Sequence, residues 1–121
     1  MIKGGNATIF VSDFERAVKF YTETLGMKIQ YRAGNDWCAI DAGNGMSIGL
    51  HPAGDKSAKP GTRGAISVGL DVSGPLENVM AELTKRGVVF EGKIYEDDPV
   101  RLAFFGDPDG NELYLCEYKG K

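Results

Sequence analysis

The apolar positions along the chain change their period in a fixed order, and that order occurs twice. Ala7-Thr8-Ile9-Phe10-Val11 is a run of β-branched and aromatic residues of strand type. Phe14, Ala17, Val18, Tyr21 and Leu25 then recur at helical spacing. Ahead of them, Ser12-Asp13-Phe14-Glu15 reads as a capping box, with Ser12 as the cap and Glu15 reaching back to it. Gly26 ends the helix, because the left-handed residue after a last turn suits glycine best. Strands are predicted at Lys28–Arg32, Trp37–Asp41 and Met46–His51, with Gly34-Asn35 and Gly43-Asn44-Gly45 as the turns between them. The polar stretch from Pro52 to Arg63, punctuated by Pro and Gly, reads as a linker.

The second round begins with a strand over Ala65–Val72. Ser73-Gly74-Pro75 opens a helix, with Pro75 at its first position, where a missing N–H costs nothing. Leu76, Val79, Met80 and Leu83 form its apolar stripe and Gly87 ends it. Strands are predicted at Val88–Tyr95, Arg101–Gly106 and Glu112–Tyr118, the last preceded by the turn Asp107-Pro108-Asp109-Gly110-Asn111. The order β-α-β-β-β therefore repeats with a period of about 60 residues. Mixed elements with mostly antiparallel connections predict an α+β fold. We expect one domain over residues 1–121, with module one at about 4–52, a linker at 53–63 and module two at about 64–119. A helix covers one face of each module's sheet. The other faces are expected to form a curved mixed sheet around a cleft, where a site would lie.

A chain of 121 residues can bury a core without disulfide staples. No apolar run approaches the roughly 18 residues of a membrane span, and the start of the chain lacks an apolar signal region. The expectation is a cytoplasmic protein without a membrane partner. A net charge of −3 argues against nucleic acid as a partner, since phosphate binding needs a basic face. Cys38 and Cys116 are far apart and lack metal or redox spacing, so they read as buried free thiols.

Three stretches resemble the vicinal oxygen chelate superfamily, which includes glyoxalase I, extradiol dioxygenases and bleomycin-resistance proteins. They are Val11 to Met27, Gly64 to Val72 and the turn Asp107 to Asn111. The resemblance covers essentially the whole chain and implies paired modules around a cleft. In enzymes of that kind it implies a divalent metal held by His or Glu on the inner strand faces. The matching positions here are Asn6, Gly49, Ala65 and Tyr114. Gly49 and Ala65 offer no side-chain donor, Asn6 a weak neutral oxygen, and Tyr114 a phenol with an ordinary pKa near 10. No metal, no other cofactor and no catalytic residue is therefore assigned. The resemblance then implies the bleomycin-resistance branch, whose members sequester a small organic molecule, usually as homodimers. Two alternatives stay open. One is a glyoxalase-, dioxygenase- or epimerase-type metalloenzyme using displaced ligands such as His51, Glu112 and Cys116. The other is a metal-free enzyme using Tyr114, His51 or Glu112 as acid or base.

Strand alternation nominates the ligand-binding residues. Asn6, Thr8 and Phe10 share one face of the first strand, as do Gly49 and His51 of the fourth. Ala65, Ser67 and Gly69 share a face in the second module, and Glu112 and Tyr114 do so with Cys116. Assigning Cys38 and Ile40 to the helix side places Trp37 on the cleft side. Arg101, Ala103 and Phe105 share a face, which we place on the cleft side as well.

Overall fold

The structure, a computed structural model, describes residue 1 and residues 5–119. It divides into two compact units, Met1–Thr62 and Arg63–Lys121. In the first, β1 (Ala7–Val11) leads into α1 (Phe14–Lys19), which continues as a π-helical turn over Phe20–Thr24. Then come β2 (Lys28–Ala33), β3 (Trp37–Gly43) and β4 (Met46–Pro52). The sheet order is β1-β4-β3-β2, with β1 parallel to β4 and the other neighbours antiparallel. Ile9 and Val11, Cys38 and Ile40, and Ile48 and Leu50 are buried on one face. Phe14, Ala17, Val18 and Tyr21 are the buried residues of the helical segment, which packs on β4.

The N-cap of α1 is Asp13 and not the expected Ser12. The Asp13 carboxylate accepts the Arg16 N–H at 3.1 Å. A charged acceptor suits the positive end of the helix better than a hydroxyl. Glu15 does not reach back as a capping box requires; it pairs with Arg32 at 2.7 Å. Gly26 ends the helix with φ 79°, in the predicted left-handed conformation.

The second unit comprises β5 (Val68–Asp71), α2 (Leu76–Lys85), β6 (Phe90–Asp97), β7 (Val100–Gly106) and β8 (Glu112–Tyr118). Its sheet runs β5-β8-β7-β6, with β5 parallel to β8 and the rest antiparallel. Val68, Ala103, Phe105, Leu113 and Leu115 are buried on the face to which α2 contributes Leu76 and Leu83. Both units are thus four-stranded mixed sheets with one helix each, an α+β architecture repeated as the sequence pattern predicts.

Three expectations need correcting here. Pro75 is the N-cap of α2 and not its first helical residue. It brings no side-chain acceptor, and the Leu76 N–H instead donates to Oε2 of Glu117 at 3.3 Å. The strand expected from Ala65 begins only at Val68, so Ala65 and Ser67 lie exposed ahead of it. The reason lies in the partner: β5 pairs with β8 from Val68–Leu113 onward, and β8 itself starts at Glu112. The third correction concerns β7. Arg101, Ala103 and Phe105 pair with Glu117, Leu115 and Leu113 and so share the helix-covered face. Arg101 and Phe105 are therefore not on the open face.

The turn before β8 is held by Asp107. Its Oδ1 accepts the N–H groups of Asp109 at 3.0 Å and Asn111 at 2.8 Å. The Asn111 side-chain amide donates to Oδ2 at 2.9 Å. These bonds make Asp107-Pro108-Asp109-Gly110-Asn111 a fixed support that sets where β8, and hence Tyr114, begins.

Candidate functional site

On the open face of the first sheet, three rings meet. Phe10 of β1 and His51 of β4 are register partners with ring centroids 5.2 Å apart. Trp37 of β3 stands 6.5 Å from His51. The indole sits where Gly49 has no side chain: a β-carbon built there would stand 2.7 Å from Cζ2 and 2.8 Å from Cζ3 of Trp37. Trp37 thus lies on the open face, as alternation predicts, because Cys38 and Ile40 fill the core. Thr8 is on this face too, and its hydroxyl donates to Oδ1 of Asn6 at 3.2 Å. Asn6 is exposed and precedes β1.

His51 is oriented by its own strand. Its Nδ1 lies 2.7 Å from the Pro52 carbonyl oxygen. A carbonyl only accepts, so Nδ1 carries the proton of this contact, and of the two neutral tautomers it selects the one with the lone pair on Nε2. Next to it opens a pocket of about 330 Å³ lined by Phe10, His51, Pro52, Gly54, Asp55, Lys56 and Ser57.

The second sheet repeats the device of an aromatic ring over glycine. Tyr114 of β8 is the register partner of Gly69 in β5. A β-carbon on Gly69 would stand 2.6 Å from the phenol oxygen. Phe104 of β7 pairs with Tyr114, ring centroids 5.2 Å apart. Alternation missed Phe104, because Phe104 and Phe105 stand on opposite faces of β7 and the charged Arg101 shares the face of Phe105, which made that face look open. Beyond Phe104, Glu91 of β6 takes both Nη1 and Nη2 of Arg63, at 2.7 and 2.8 Å. Arg63 also donates through Nε to the Gly110 carbonyl at 2.7 Å. Glu112 opens β8 opposite Gly106, half-buried on this face. Cys116 follows Tyr114 on this face, but it is buried. Burial first, and then the Asp71 carboxylate, push its thiol pKa up, and burial likewise raises Cys38. Neither sulfur has the lowered pKa of a nucleophile or ligand thiolate.

A family model described as Glyoxalase/Bleomycin resistance protein/Dioxygenase superfamily matches residues 5–115. The chain belongs to this superfamily. Among solved structures, a superfamily member from Sphaerobacter thermophilus DSM 20745 is 29% identical, with 97% of this chain and 98% of that chain covered and a TM-score of 0.79. TnmS3, an antibiotic binding protein from Streptomyces sp. CB03234, is 27% identical, with 98% of both chains covered and a TM-score of 0.80. An integron cassette protein from the mobile metagenome of V. cholerae, 21% identical over 98% of this chain and 97% of that one, shares the fold with a TM-score of 0.73.

The metal implied by the superfamily resemblance does not fit the residues present at its four positions. Asn6 and Ala65 are exposed and outside the strands. The space of a ligating side chain at Gly49 is filled by the Trp37 indole. The Tyr114 phenol lies over Gly69, a β-carbon there standing 2.6 Å from its oxygen, so the fourth position carries an aromatic ring and no carboxylate. Of the displaced set, Cys116 is buried with its thiol pKa raised. Among the described residues, no group of three or more His, Cys, Asp or Glu side chains stands close enough together to hold a metal ion.

Proposed function

We propose that this superfamily member is a non-catalytic binding protein that sequesters a planar organic molecule, a drug or a metabolite, on its open sheet faces. One observation carries the reading: Trp37 over Gly49 and Tyr114 over Gly69 put flat aromatic surface where the resemblance places metal-binding side chains. Aromatic surface bordered by a few polar groups suits a planar ligand, which gains from stacking without any reaction. The antibiotic-binding activity named for TnmS3 supports the same reading. Thr8, Trp37, Gly49, His51, Glu112 and Tyr114 are its candidate contacts, joined by Phe10 and Phe104. We further propose a cytoplasmic homodimer in which the two modules work as one domain, joined by the linker at 53–63. Light scattering gives the oligomeric state directly.

The test is a fluorescence titration of Trp37, the single tryptophan, with a panel of planar antibiotics, run beside metal analysis of protein dialysed against Ni, Co, Zn, Mn and Fe(II). Saturable quenching with less than about a tenth of an equivalent of every metal is the expected result. Close to one equivalent of any metal, lost in His51→Ala or Glu112→Ala, would replace this reading with that of a metalloenzyme using displaced ligands.

A further inference from the structure

Among the side chains lining the pocket beside β1 and β4, His51 has its ring oriented by a hydrogen bond of its own. Its walls include the apolar surfaces of Phe10 and Pro52. The hydroxyl of Ser57 is occupied, since it accepts the Gly54 N–H and donates to the Gly54 carbonyl, both at 3.0 Å. Asp55 and Lys56 line it with opposite charges, so they favour neither an anion nor a cation. His51 differs from all of these. The Pro52 carbonyl holds its proton on Nδ1, and among the described residues no hydrogen bond reaches Nε2. The imidazole also stands beside the rings of Phe10 and Trp37, centroids 5.2 and 6.5 Å away. In the tautomer that the Pro52 contact selects, Nε2 is an acceptor that no described residue occupies.

Granting the binding reading above, we infer that the pocket takes a neutral, planar aromatic hydroxyl compound whose O–H donates to Nε2 of His51. A volume of about 330 Å³ is at the small end of ligand pockets, which suits two fused rings. The ring of such a compound rests on Phe10 while its hydroxyl meets the imidazole. An aromatic hydroxyl is a stronger donor than an alcohol, which matches an imidazole acceptor. The sequence contains one histidine, so no second imidazole can mimic the effect.

The experiment compares 2-naphthol with 2-methylnaphthalene, which has the same shape without the donor, by calorimetry. The wild-type protein should bind 2-naphthol about fivefold to tenfold more tightly, the worth of one partly exposed hydrogen bond. His51→Phe keeps an aromatic wall and should abolish that preference. His51→Gln, which keeps an acceptor, should restore part of it. His51 is exposed, so both variants should fold with unchanged circular dichroism. Equal affinity for the two probes, or a preference that survives in His51→Phe, overturns the inference while leaving the binding reading intact. Absence of binding to either probe also overturns it, and the binding reading is then decided separately by the antibiotic panel.

Discussion

Arg101 of β7 and Glu117 of β8 face one another across the helix-covered side of their sheet, Nη1 to Oε1 at 2.9 Å. The second oxygen of Glu117 takes the Leu76 N–H at the start of α2. The other guanidinium nitrogens of Arg101 reach Glu77 and Glu96. One arginine therefore ties two strands to the first turn of a helix.

A pH effect follows from this knot. The hydrogen bond from Arg101 holds the Glu77 carboxyl at about 2, against an ordinary 4.5. A lowered folded-state pKa stabilises the fold fully above pH 4.5, and the contribution shrinks as pH falls toward about 2. Urea midpoints measured across that window should drop with acid. Arg101→Met should lower Tm by several degrees and flatten the Glu77 part of the slope. Glu15 and Glu91, lowered chiefly by hydrogen bonds from Arg32 and Arg63, keep theirs. A slope unchanged in Arg101→Met would show that Glu77 is not held this way.

Gly49→Ala tests the seat of the indole. The added methyl needs the space of the Trp37 ring end, and a side chain can swing where a backbone cannot. Trp37 should move toward solvent and its emission shift to the red. Alanine suits a strand better than glycine, so global stability should change by no more than about 1 kcal/mol. Loss of planar-ligand binding with the fold intact is the expected outcome. Unchanged emission and affinity would show that Trp37 is not seated on Gly49.

Adjacent phenylalanines in β7 should behave in opposite ways. Phe105 is fully buried against Phe90 and the core, so Phe105→Ala should cost about 3–5 kcal/mol in denaturation. Phe104 stacks beside Tyr114 on the open face, so Phe104→Ala should weaken ligand binding severalfold with a smaller loss of stability. The reverse assignment of effects would invert the placement of this strand.

The sequence makes the fold legible where burial is one-sided. In β1, Ile9 and Val11 are buried while Thr8 and Phe10 are exposed, and alternation alone sorts them. Trp37 is placed by the same logic, because Cys38 and Ile40 between them claim the core. In β7 a phenylalanine stands at each parity and the charged Arg101 lies on the helix-covered one, so alternation points to the wrong face and does not single out Phe104. Ala65 and Ser67 lie ahead of β5 for a different reason. They alternate with Ile66 and Val68, which suit a strand, but the length of β5 is set by where its neighbour β8 begins, a non-local fact. Ser12 and Asp13 were one residue apart in the sequence and equally able to cap, and only the position of the Arg16 N–H separates them.

The placing of β4 and β8 inside their sheets imposes an order on synthesis. Each is the last strand of its unit, yet each fills the slot beside the first strand, β4 between β1 and β3 and β8 between β5 and β7. Until it emerges, the first strand has no ladder partner and waits as an open edge. The first unit can close once Pro52 is made. The second stays open on β5 until residues 112–118 arrive, and with them Glu117, which caps α2. The nascent second unit therefore joins β5 to the β6–β7 pair and gains the Glu117 contact to α2 in one late step.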